Sequence, residues 1–455
     1  MTVENLEQYL AQYPNPVRAL RDLEYPSLYQ LPGLRPEWSN WRSEQTLWHK
    51  SAALLDQSHH MAGLLLSGPD ALKFLNDFGV NNFASFAPNS AKQFVGLNAE
   101  GWFVGDAILA QHEPGHFEFM GEPGVLNWLE YQIQSGDYDV EYERWHNSIR
   151  RGGAPGREWR YEIQGPAALQ VLEVAIGGPV PETKFFHIAE FTIAGKPVRA
   201  IRHGMAGQPG FEMFGPWDDG PIVREALMKA GEPLGMQMAG SVAYFTLIES
   251  GWIGHPLPAV YTSESTKGYR EWLPARNLFS LGGSFDSENI EDHYSSPDEL
   301  GYGRLVTDNH DFLGRDALKQ RGPGKKKKVT LVWDKDDFGS IFTGLLDREE
   351  KLPPQYLEVS SSARYSFYQH DAIFDGDKQI GFATHAAYIA PLRAFISLAM
   401  IDEEYATPGT EVTQLWGDSL KIPRSQIEPH RQVPVRVTVA PAPYSDFARE
   451  TYRHY

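Results

Sequence analysis

Leu64-Leu65-Leu66-Ser67-Gly68-Pro69-Asp70-Ala71 and Tyr161-Glu162-Ile163-Gln164-Gly165-Pro166-Ala167 follow one grammar at two places in the chain. Each is a short strand-like run closed by Gly-Pro, a pair that punctuates regular structure. In the first, Ser67 to Asp70 reads as a turn and helix cap, and Ala71 to Phe78 then places apolar residues at helical spacing. In the second, Ala167 to Ala175 follows in the same way. The recurrence predicts an internal duplication of a strand-helix unit.

Outward from these units, Phe117 to Met120, Phe191 to Ile193 and Val198 to Ile201 read as strands and Pro221 to Ala230 as a helix. The mixture predicts an α+β body with antiparallel sheets. Beyond Lys328 the pattern turns to strands alone: Val329 to Trp333, Gln379 to Thr384, Phe395 to Ile401, Glu411 to Leu415 and Val433 to Val439. These predict a C-terminal all-β barrel over 323–455. The basic run Lys325 to Lys328, after Gly322-Pro323-Gly324, reads as a solvated linker at the boundary. Residues 1–45, rich in Pro and aromatics, read as an arm draped over a surface with little regular structure. The central body then spans 46–322.

Composition narrows the function. The 455 residues, 42% hydrophobic and 22% charged, suffice for two or three packed domains. A net charge of -18 opposes binding to a phosphate backbone, so nucleic acid is not the expected partner. No apolar run of ~18 residues predicts a membrane span, and the first residues lack a secretory pattern. The absence of cysteine removes disulfides, thiolate nucleophiles and thiolate metal sites, and fits a reducing cytoplasm.

Two segments hold candidate chemistry. His59 and His60 follow Asp56-Gln57-Ser58; as neighbours on a strand they point to opposite faces, so at most one meets a pocket and the two do not share a metal. No His-x-x-x-His or comparable cluster is present, and no metal is expected. His203-Gly204-Met205-Ala206-Gly207-Gln208-Pro209-Gly210-Phe211-Glu212 sets three glycines beside a carboxylate, which lets backbone approach a flat ligand closely. An ordinary glycine-rich hairpin with an exposed Glu fits the same spacing. Dinucleotide and nucleoside-triphosphate loops are missing.

Taken in order, Leu55 to Met61 with Ser67 to Ala71, Asn98-Ala99-Glu100-Gly101 with Asp106, Ile163 to Pro166, Gly207 to Glu212 and Ile248-Glu249-Ser250-Gly251 resemble the T protein of the glycine cleavage system and its relatives. Phe312 to Leu318, Gln379 to Thr384 and Pro408-Gly409-Thr410 resemble that family's closing barrel. Within the superfamily the chain is most similar to the O-demethylases of vanillate, syringate and related methoxylated aromatics. That similarity rests on Tyr29, Asn40-Trp41-Arg42, Asp56 to His60, Arg202 to Gly207, Ser250 to Ile253 and Pro256 to Thr262.

The resemblance implies transfer of an aryl methyl group to N5 of tetrahydrofolate, giving a phenol and 5-methyltetrahydrofolate. It implies Gln164 and Glu212 on the pterin, Trp252 as a stacking wall, Tyr244 and then His60 at the leaving oxygen, and Gln57, Tyr29 and Glu122 at the aromatic methyl donor. Three departures stand out. Gly105 occupies the first position of the T protein's Asp-Asp pair; Ala243-Tyr244 replaces an arginine; and Glu122 stands where vanillate-type enzymes carry an arginine for the substrate carboxylate. A sulfonium or N-methyl donor, and a folate-binding regulator without turnover, remain as alternative readings.

Overall fold

The computed structural model describes residues 5–23, 32–244, 246–359 and 365–454. Its strands in chain order are β1 (Ala53–Asp56), β2 (Ala62–Ser67), β3 (Ser90–Leu97), β4 (Phe103–Glu113), β5 (His116–Gly121), β6 (Glu141–Trp145), β7 (Glu158–Gln164), β8 (Ile188–Ile193), β9 (Lys196–Ile201), β10 (Gly210–Pro216), β11 (Gln237–Ala239), β12 (Leu281–Gly282), β13 (Lys326–Trp333), β14 (Tyr368–Gln369), β15 (Asp371–Asp375), β16 (Lys378–Ile389), β17 (Ala394–Asp402), β18 (Glu411–Trp416) and β19 (Val433–Ala440).

The duplication expected from the two Gly-Pro segments is present in the topology. One sheet has the order β3-β4-β5-β2-β6 and the other β8-β9-β10-β7-β1-β11. Removing β1 from the second makes the two orders equivalent. In each repeat the first strand turns at a glycine of positive φ, Gly68 (+112°) or Gly165 (+136°), into a helix, Ala71–Phe78 or Ala168–Ile176. A Cβ at Gly68 would meet Asp139 O, and one at Gly165 would collide with Ser51 O, so both turns require glycine. Asp70 precedes its helix without capping it; its carboxylate instead accepts the Asp139 N–H at 3.0 Å.

Alternation sets the layers. Leu64, Leu66, Phe117 and Phe119 face the helices Ala71–Phe78 and Pro123–Ser135, burying Phe74, Leu75, Val125 and Leu129. Tyr161, Ile163, Phe211 and Met213 face Ala168–Ile176 and Gly220–Gly231 in the same manner. Each fully buried side chain of this kind contributes about 1.5–3 kcal/mol. The opposite faces of the two sheets meet through Ile108, Met120, Ile201 and Phe214.

Six of the seven described strands after residue 325 close into a barrel, β13-β17-β16-β15-β18-β19, while β14 pairs with β12. Ala399 and Ile401 of β17 point into it with Leu331 and Val435, while Ile396, Leu398 and Met400 point out against Val95, Leu97 and Phe103 of the first repeat. The architecture is therefore α+β with a closing barrel. Lys326 to Lys328 belong to β13, not to a solvated linker, because the barrel's first strand needs their backbone for pairing with Met400 to Asp402.

The N-terminal segment is also more regular than expected. Asn5 and Asn15 cap the short helices Leu6–Leu10 and Pro16–Arg21, accepting from Gln8 N and Arg18 N. Leu6, Val17 and Leu20 are buried against Leu273 and Leu281, and buried Arg21 Nη1 donates to Asp418 Oδ1 at 2.9 Å. Tyr29 lies outside the described residues.

Candidate active site

A cavity of about 820 Å³ opens where the inner face of the first repeat, the glycine-rich loop of the second and the barrel converge. That volume falls within the roughly 300–1,000 Å³ of small-molecule sites. β4 and β5 supply Asp106, Ile108 and Met120, the loop supplies His203, Gly204, Met205 and Gly207, and the barrel supplies Lys328 and His385. Trp252, Phe279, Phe367 and Tyr368 provide flat walls.

At one wall stands Tyr244, the last residue of the short helix Ser241–Tyr244 that follows β11. Gly240 N donates to buried Glu44 Oε2 at 2.8 Å, fixing the start of this helix. His60, in the turn between β1 and β2, sets its Nε2 3.2 Å from the Tyr244 hydroxyl, with ring centroids 4.8 Å apart. Burial pushes the His60 imidazole down to about 4, so it is neutral at pH 7. Burial, and then the charges of Glu162, Glu212 and Glu122, raise the Tyr244 phenol well above its ordinary value. The pair is a protonated phenol beside a neutral imidazole. His59 turns away from the cavity toward Asp56, 3.7 Å from its Oδ2, so one histidine of the two meets the pocket.

Beside the cavity lies a buried polar layer. Arg160 Nη1 donates to Glu212 Oε1 at 3.0 Å, and its Nη2 lies 3.4 Å from Glu118 Oε2 and 3.3 Å from Glu158 Oε2. Glu162 accepts from Met205 N at 2.6 Å and from the Gln57 amide. Burial, followed by the Glu212 charge, raises Glu162 to about 8. Gln164 Oε1 accepts from Gln208 N at 3.2 Å. Gln57, Gln164 and Glu212 are thus engaged with protein groups and lie behind the cavity wall, whereas Tyr244, His60, Glu122 and Trp252 line it. Glu122 sits 3.9 Å from His255 Nδ1.

Away from Tyr244 the wall carries charge that the sequence reading left without a role. Asp106 accepts from Tyr302 Oη at 2.8 Å and Gln93 Nε2 at 2.6 Å. Burial raises its carboxyl to about 6, against the hydrogen bonds of Tyr302, Trp252 and Gln93 and the charge of Lys328. Burial also lowers the Lys328 ammonium to about 8. Lys328 was hidden within a basic run whose alternation on a strand turns every second lysine inward. Among the described residues, no group of three or more His, Cys, Asp or Glu is placed to hold a metal, and no helix is long and apolar enough to cross a membrane.

The Ile248-Glu249-Ser250-Gly251 string anchors this wall. Buried Glu249 Oε1 accepts the Trp48 indole N–H at 2.9 Å and lies 2.9 Å from His49 Nε2, while its backbone oxygen accepts from Tyr444 N and Ser445 N.

Known proteins resemble this chain in sequence and in fold. The GCVT N-terminal domain matches residues 9–254. The syringate O-demethylase of Sphingobium sp. (strain NBRC 103272 / SYK-6) is 38% identical over 99% of this chain and 98% of its own length. The sesamin methylene transferase of Sinomonas sp. (strain No.22) is 28% identical over 84% of each chain. In three dimensions the chain is similar to the glycine cleavage system aminomethyltransferase T from Bartonella henselae, with a TM-score of 0.61 at 16% identity over 94% of this chain and 95% of that one. By the matched domain and the full-length likeness, the chain belongs to the GCVT family.

Proposed function

We propose that the protein is a tetrahydrofolate-dependent O-demethylase that moves the methyl group of a methoxylated aromatic to N5 of the folate, releasing a phenol. The observation that carries the reading is the Tyr244 hydroxyl, held 3.2 Å from His60 at the wall of an aromatic-lined cavity in a GCVT-family chain. The full-length similarity to a syringate O-demethylase supports it.

The cavity suits a reduced folate. Trp252 offers a ring face, Gly204 and Gly207 allow close approach of backbone, and buried His203 Nδ1 has no hydrogen-bond partner among the described residues. When bound, the folate would supply the N5 lone pair that accepts the methyl group. Gln164, whose Oε1 accepts from Gln208 N, positions the loop over the pterin, and Glu212, held by Arg160 behind the wall, meets the pterin after a side-chain shift. We assign the donor to the Tyr244 side, with Gln57 fixing Glu162 beneath it.

Tyr244 donates a hydrogen bond to the departing aryl oxygen as the carbon-oxygen bond breaks and charge grows there. Its raised pKa makes it a weaker acid than an ordinary phenol, so it shares its proton and retains it, and the proton that N5 would give up on methylation converts the aryl oxide to the phenol. Such a donor contributes about 10²–10⁴ in rate. Neutral His60 orients the Tyr244 hydroxyl. Holding donor and acceptor in line accounts for several further kcal/mol, on the order of 5 or more. Glu122, on the cavity wall, favours a neutral donor over a benzoate. The reading includes a cytoplasmic setting and a division into arm 1–45, body 46–322 and barrel 323–455.

Anaerobic incubation of the purified protein with tetrahydrofolate and methoxyarenes, with and without a ring carboxylate, tests this. Formation of 5-methyltetrahydrofolate together with the matching phenol is the expected result, with the neutral ring preferred. Bound folate without turnover of any methoxyarene would overturn the donor assignment.

A further inference from the structure

Lys328 reaches the cavity from the barrel, and Arg453 reaches it from the segment 444–454. That segment is docked firmly. Tyr452 Oη accepts from Gly204 N at 2.5 Å and donates to Gly204 O at 3.0 Å, and Ala448 lies against Gly207, where an added Cβ would come within 2.7 Å of it. The segment therefore packs directly on the glycine-rich loop, and it lines the cavity together with the barrel.

Neither cation is in direct contact with a carboxylate among the described residues. Among the described residues Lys328 and Arg453 make no ion pair or hydrogen bond. Arg453 lies 5.9 Å over the Phe185 ring, and its charge acts on Lys328, Tyr302 and His203. The carboxylate facing them, Asp106, is held by Tyr302 and Gln93. Lys328 is half-buried and Arg453 is exposed, so beside one engaged carboxylate the two set positive charge along the cavity lining of a chain whose net charge is -18. A half-buried lysine whose one facing carboxylate acts only through space is stabilised by a further anion that contacts it directly.

We propose that Lys328 and Arg453 form a subsite for a ligand carboxylate, so that the barrel and the segment 444–454 take part in binding. Two carboxylates have this chemistry: the glutamate end of the folate and a ring carboxylate of the donor. Tyr244 and His60 occupy a different wall, so we assign the subsite to the folate's glutamate end. That source rests on the folate reading above; the subsite itself does not.

Calorimetry under anaerobic conditions separates the possibilities. The ligands are tetrahydrofolate, a tetrahydropterin lacking the benzoylglutamate tail, and a methoxybenzoate with its neutral methoxyphenol counterpart. Lys328→Gln and Arg453→Gln are each expected to weaken tetrahydrofolate about tenfold to a hundredfold while leaving the tetrahydropterin unchanged. Lys327→Gln, at the exposed neighbouring position, is the control and leaves all four ligands unchanged. Selective loss of the methoxybenzoate, with tetrahydrofolate retained, would support the subsite and move it to the donor. If wild-type protein binds no folate, the folate reading fails and the donor pair alone judges the subsite. Equal losses for tailed and tailless ligands, or no loss above twofold in either pair, would overturn the subsite. Melting temperatures of the variants identify losses that come from misfolding.

Discussion

In the first repeat the residue opposite Glu118 across the ladder is Leu65; in the second, the residue opposite Glu212 is Glu162. Counted from the paired glycines Gly68 and Gly165, Leu65 and Glu162 hold equivalent positions, as do Ser67 and Gln164, and Gly63 and Arg160. Glu118 and Glu212 match each other, and both reach Arg160. The two backbones follow one plan, yet the first repeat completes its sheet with leucine and glycine where the second buries ionisable groups. The duplication thus supplies a symmetric frame, and the chemistry comes from breaking that symmetry on one side. Strand β1, inserted in the second sheet alone, leads directly to Gln57 and His60.

The largest effect expected from this comparison is on stability. Arg160→Met leaves Glu118, Glu158 and Glu212 without their shared cation and should cost about 3–5 kcal/mol, read by urea unfolding. Adding Glu212→Gln should recover part of that loss. An Arg160→Met protein within about 1 kcal/mol of wild type would show that the repeats are not linked through this residue.

The turns give a smaller, paired effect. Gly165→Ala and Gly68→Ala should each destabilise by about 1–3 kcal/mol, because each forces a side chain into positive φ against a backbone oxygen. The closer obstruction at Gly165 makes it the more costly. Tolerance at one turn and collapse at the other would break the equivalence of the repeats.

A separate effect depends on pH. Glu162 has a folded pKa of about 8, raised from 4.5 first by burial and then by Glu212. Its raised value means that the folded protein holds the proton more tightly than the unfolded chain. Its contribution to stability is therefore full below about pH 4.5 and is lost as pH rises through about 8. Glu162→Gln should remove that loss, so the variant gains on wild type from pH 5 to pH 8 in urea melts. A constant difference across this range would place the titration elsewhere.

Much of this fold is legible locally. Gly-Pro punctuation at Gly68 and Gly165 marks the repeats, and alternation from Val329 onward marks the barrel, because both signals lie within a few neighbouring residues. The helices Leu6–Leu10 and Pro16–Arg21 are short enough for prolines and aromatics to mask them, although Asn5 and Asn15 are capping residues in plain view. Of the candidate site, His60, Glu122, Tyr244 and Trp252 come together at one cavity. The engagement of Gln57 by Glu162 and of Glu212 by Arg160 depends on cross-strand register, which no local pattern states. Lys328 is obscure for the same reason: its role follows from which face of β13 closes against Asp106.

The most direct test of the account is single-turnover methyl transfer by Tyr244→Phe, measured beside its tetrahydrofolate affinity. The hydroxyl is the group that meets the departing oxygen, so the rate should fall by about 10²–10⁴ while folate affinity and melting temperature stay near wild type. A Tyr244→Phe rate within about threefold of wild type would contradict the account, since a lost transition-state hydrogen bond costs far more.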